Sequence, residues 1–158
     1  MKTTYPFILL ALCLVSAAAQ AQHEVLVNRD QALMAYTKFE ADPLNNLDQA
    51  PSFLKFIETD GEVHIVLDQK LTTWMYEDHP PEARAILYAA YMGSNMHAQL
   101  TGLASGDDPV AGMRGVLHAY GKLGKKYADL SIPVLDALAD AEQEDSLAPA
   151  VSDLQNQE

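Results

Sequence analysis

Five histidines are the side chains of this chain best suited to proton transfer or metal binding near neutral pH: His23, His64, His79, His97 and His118. No two lie three or four residues apart, so no pair can present itself to zinc from one helix face. His97 and His118 fall on successive predicted helices, where an antiparallel hairpin could bring the rings together as a catalytic or metal-binding pair. The plainer reading is two histidines satisfied within helix packing. Glu77-Asp78-His79 places two carboxylates and an imidazole on a loop bounded by Pro80 and Pro81. That set suits a divalent cation only if further ligands converge from elsewhere.

Other catalytic patterns are missing from the sequence. No serine stands in G-x-S-x-G; Ser52 and Ser131 read as helix caps and Ser94 as a helix contact. The glycines match neither phosphate-binding pattern, and Asp107-Asp108 lacks the spacing of a calcium loop, so Asp108 reads as a helix cap. The sequence assigns no metal and no cofactor. A better lead is aromatic: Trp74, Tyr76, Tyr88, Tyr91 and Tyr120 cluster in the middle and second half of the chain. Together with His97 and His118 they make a candidate binding surface, because tyrosine joins an apolar body to a polar tip and is enriched at interfaces.

The elements that would position these residues read as helices. Asn28 is placed to cap a helix over 29–41, whose apolar residues recur at three- and four-residue spacing, and Asp42-Pro43 closes it. Ser52 opens a short helix that Asp60-Gly61 breaks. Residues 63–75 favour helix; the alternative is a small β ribbon pairing residues 63–67 with Val25–Val27. Pro81 starts the strongest helix, over 83–103, where Gly93, Ser94 and nearby alanines let a neighbour approach. Asp108-Pro109 starts the next, which Gly121 and Gly124 end near Leu123, and a last helix follows Ser131. The expected fold is all-α, a single small domain of about five antiparallel helices at 22–142, followed by an acidic, disordered tail at 143–158.

Residues 1–21 read as a cleaved signal peptide: Lys2, an apolar run from Phe7 to Val15 too short to span a bilayer, and Ala19-Gln20-Ala21 before the cleavage point. Cleavage removes Cys13, the only cysteine, so the exported form has neither disulfides nor thiol chemistry. It also makes His23 the second residue, one place short of the amino-terminal copper motif. Ten basic against 22 acidic residues give a net charge of -12, which argues against nucleic acid and anionic lipid as partners. No membrane insertion is expected once the signal is gone.

These features lead to an exported, non-catalytic helical binding or adaptor protein of the bacterial envelope, with an envelope protein as the expected kind of partner. The alternatives are a periplasmic hydrolase or metal-dependent enzyme using carboxylates with His97 or His118, or a carrier of a small ligand or metal at the Glu77–His79 loop.

Overall fold

The computed structural model describes residues 27–157, so the expected signal peptide at 1–21 lies outside the described residues. Helix α1 (Arg29–Ala41) begins as its sequence dictates. The Asn28 side chain accepts the Gln31 N–H at 2.9 Å and the Gln31 side chain accepts the Asn28 N–H at 3.0 Å, a reciprocal cap. Its buried face is Ala32, Ala35, Tyr36 and Phe39. A 3-10 turn at Leu47–Gln49 leads into α2 (Ala50–Asp60), so Ser52 is not its cap. Pro51 is accommodated in the first turn, where its missing N–H has no partner to lose. Gly61, at φ 74°, supplies the left-handed residue that ends α2.

Residues 63–68 do not form the expected helix, and the ribbon partner at residues 25–26 lies outside the described residues. They cross the molecule as an extended strap whose backbone partners are side chains instead of a second strand. The strap leads through a 3-10 turn at Thr73–Met75, which buries Trp74, to α3 (Pro81–Leu100). α3 is the central element and packs on α1, α2 and α4 (Pro109–Lys126). Gly93 faces the Tyr36 ring of α1, whereas Gly112 and Gly115 of α4 face Tyr91, Ala90 and Ser94 of α3. The expected close approach at Gly93 is therefore present. α4 is capped by the Asp108 carboxylate on the Ala111 N–H at 2.9 Å. It runs through Gly121 and Gly124 to Lys126, since glycine in right-handed helical conformation weakens a helix without ending it.

Ser131 does not cap α5 (Pro133–Gln143); Ile132 precedes it, and the Ser131 hydroxyl donates to Asp136 at 2.9 Å. Asp145, at φ 55°, turns the chain into α6 (Leu147–Asn156). Here the expected disordered tail is a helix. Leu147 and Val151 are buried, with Ala150 and Leu154 beside them on a face that closes over α4 and α5. Among the described residues, six α-helices thus form an all-α domain. Among the described residues no helix is long and apolar enough to cross a membrane.

Candidate functional site

The aromatic residues expected to line one groove are distributed through the fold. Trp74 is wholly buried and donates its indole N–H to the Leu71 carbonyl at 3.0 Å. Tyr91 is buried against Gly112. Tyr88 is half-buried at the core edge, and Tyr120 ties the α4–α5 connection by donating to Asp136 at 2.7 Å and accepting the Ile132 N–H at 3.0 Å. Tyr76 alone stands free in solvent. Aromatic rings carry the most apolar area per residue, and in a domain without disulfides most of that area goes into the core.

The histidine pair separates as well. His97 packs its ring 5.5 Å from that of Tyr36, and His118 bonds the Glu40 carbonyl at 3.1 Å, helping to satisfy the open end of α1. Because Gly112 lies against Tyr91 and Gly115 against Ala90, the α3–α4 register puts His118 opposite residues near Leu87. The two histidines are thus offset along the hairpin by roughly two helical turns. No group of three or more acidic, histidine or cysteine side chains among the described residues is placed to hold a metal ion.

Two places do gather polar groups. One is a cavity of about 430 Å³ between Asp78–Pro80 and the Lys126–Ser131 connection. His79 lines it with a side chain only 13% exposed, its Nε2 held 3.0 Å from Glu77. At the rim Glu82 accepts from Lys126 at 2.7 Å and from the Tyr127 hydroxyl at 2.6 Å, and these two bonds hold its carboxyl below the usual range. Ser131 is committed to Asp136, so the cavity holds no serine–histidine pair.

The second place is the strap, and it rests on polar residues of α3 that the sequence reading passed over. Asn95, fully buried, donates to Asp107 at 2.8 Å and accepts from Gln99 at 2.7 Å and from the Asp108 N–H at 3.2 Å. Gln99 grips both backbone groups of His64: its Oε1 accepts the His64 N–H at 3.1 Å and its Nε2 donates to the His64 carbonyl at 2.7 Å. Asp107 accepts the Val66 N–H at 3.2 Å and Tyr91 donates to the Val66 carbonyl at 3.2 Å. Burial, reinforced by the negative charges of Asp107, Asp68 and Asp108, pushes the Tyr91 hydroxyl well above its ordinary value and keeps it a donor. Every polar atom of this network that is buried has a partner. The available signal was Asn95 and Gln99, two amides four residues apart on an otherwise apolar helix. No protein-family model matches this chain, and no curated protein or solved structure shows significant similarity to it.

Proposed function

We propose that this is an exported, non-catalytic helical binding or adaptor protein of the bacterial cell envelope, and that it meets a protein partner through the strap at residues 63–68. The carrying observation is that Val66 is 61% and Leu67 40% exposed on a segment whose backbone is fixed by four hydrogen bonds from α3, Asp107 and Tyr91. An apolar surface on an ordered backbone can be covered without a large loss of chain entropy, which favours binding. Leu103, 78% exposed, lies on the α3–α4 loop that also supplies Asp107. This surface takes the place of the aromatic groove expected from the sequence.

The test is affinity capture from envelope extract with the wild-type chain and with the Val66→Asp/Leu67→Asp variant, followed by titration of the purified partner. A partner bound by the wild type and at least tenfold more weakly by the variant supports the reading; equal binding by both contradicts it.

A second reading, carriage of a small polar ligand, is supported by the 430 Å³ cavity at His79. Its loop carries the acceptors Glu77 and Asp78 and the imidazole of His79. Calorimetric titration of the wild type and His79→Ala with a panel of small polar metabolites tests it, and heat of binding lost in the variant is the expected outcome.

A further inference from the structure

Among the described residues the strap runs alone, and its two edges differ. In an extended chain the backbone groups of alternate residues point to opposite sides. His64 and Val66 direct theirs inward, where Gln99, Asp107 and Tyr91 satisfy all four. Ile65 and Leu67 direct theirs outward, and among the described residues no hydrogen bond reaches the N–H or the carbonyl of either. The side chains divide differently. Val63 is buried and Ile65 packs against the core, while Val66 and Leu67 face solvent. These are the features of a sheet edge: ordered backbone, one satisfied side, one open side and apolar side chains beside it.

The surroundings determine what can pair with that edge. Asp68 lies on the strap itself, Glu62 precedes it, and Asp107 and Asp108 flank it from the α3–α4 loop. Lys70, the cation nearest the strap in the chain, directs its ammonium to the carbonyls of Gln155 and Gln157 in the C-terminal segment. A second copy of this chain would bring an equally acidic edge on a protein of net charge -12, and like charges placed opposite one another oppose pairing.

We propose that the outer edge of residues 64–67 takes up an extended peptide segment as an added β-strand, and that this segment alternates apolar with cationic side chains. The inference rests on the protein-binding reading above and gives it a mode and a partner chemistry. Main-chain bonds to Ile65 and Leu67 supply the register; Leu67, on the face it shares with Val63 and Ile65, receives the apolar side chains, and Glu62 and Asp68, on the other face with Val66, select the positive ones.

The test uses isotope-labelled exported protein and a short peptide alternating Lys and Val, with three companions: the same peptide alternating Glu and Val, a version N-methylated at every second amide, and one N-methylated at the intervening amides. Binding of the Lys–Val peptide should slow amide exchange at Ile65 and Leu67. One N-methylated register should bind at least tenfold more weakly than the other, and the Glu–Val peptide should be weaker by a similar factor. Leu67→Pro, which removes one outward N–H and leaves the inward bonds of Val66 in place, should lose the peptide while keeping the helical circular dichroism spectrum. Leu67→Ala, which keeps the N–H and loses only side-chain contact, should bind more weakly than the wild type but more tightly than Leu67→Pro.

Equal affinity for both N-methylated registers, or no slowing at Ile65 and Leu67, overturns strand addition whether or not Leu67→Pro folds. Slow exchange at these amides in the peptide-free protein that grows with its concentration assigns the edge to a second copy and overturns the cationic peptide. A partner captured through Val66 and Leu67 while both amides still exchange freely overturns strand addition and leaves the binding reading standing. Failure of the capture experiment removes the binding reading itself.

Discussion

Gly115→Ala and Gly121→Ala add the same methyl group to the same helix, and their surroundings give the two changes opposite signs. Each gains about 0.8–1 kcal/mol in helix propensity over glycine. At Gly121 a Cβ meets nothing within 4 Å, so that gain is the whole effect and the variant should be stabilised by about 0.5–1 kcal/mol. At Gly115 the Cβ would lie 2.7 Å from the Ala90 carbonyl oxygen and 2.5 Å from the Ser94 Cβ, where ordinary contact begins near 3.4 Å. Neither a backbone oxygen nor a Cβ can rotate away, so α4 must retreat from α3 by about 0.7–0.9 Å at the most extensively packed helix pair of the domain. Overpacking of this kind costs about 1–3 kcal/mol and exceeds the propensity gain, leaving a net loss of about 1–2 kcal/mol. Urea denaturation followed by circular dichroism at 222 nm measures both variants against the wild type. Gly115→Ala at or above wild-type stability would refute the packing argument for the α3–α4 pair.

Asn95→Leu removes three hydrogen bonds from a fully buried amide and leaves Asp107 with less support; it should destabilise by about 2–3 kcal/mol in denaturant titration and speed amide exchange at His64 and Val66. Leu147→Ala should cost about 2–3 kcal/mol because α6 covers the core, whereas a disordered tail would give no change. Burial raises the folded-state pKa of Tyr36 and Tyr91 above the ordinary 10.0 of the unfolded chain. Both therefore bind protons more tightly when folded, and stability is intact below about pH 10 and falls as pH climbs past it. Denaturant midpoints measured from pH 8 to 12 should show that decline, and Tyr36→Phe or Tyr91→Phe should make it shallower.

The α1 cap at Asn28, the Pro81 and Pro109 helix starts and the close approach at Gly93 were legible in the sequence because each depends on residues near in the chain or on the missing side chain of one glycine. Helix α6 was also written there, in Leu147, Ala150, Val151 and Leu154 at helical spacing, but polar neighbours masked it. The strap was not legible. Its alternating Val63, Ile65 and Leu67 suit a strand, and the partners that replace a second strand are Gln99, Asp107 and Tyr91, more than 20 residues away in the chain and committed to that task only once α3 is in place. The burial of Trp74 and Tyr91 was not legible for a related reason: spacing on a helix says which residues share a face, and it does not say whether that face turns inward.

Photo-crosslinking in living cells tests the central claim most directly. A photoreactive amino acid at Val66 or Leu67 should join the protein to one discrete partner, with the crosslink mapping to an extended apolar and cationic segment of that partner. The same probe at Lys125, exposed at the far end of α4, should give no such product. Crosslinks of equal yield and identity from both positions, or none from Val66 and Leu67, would contradict the account.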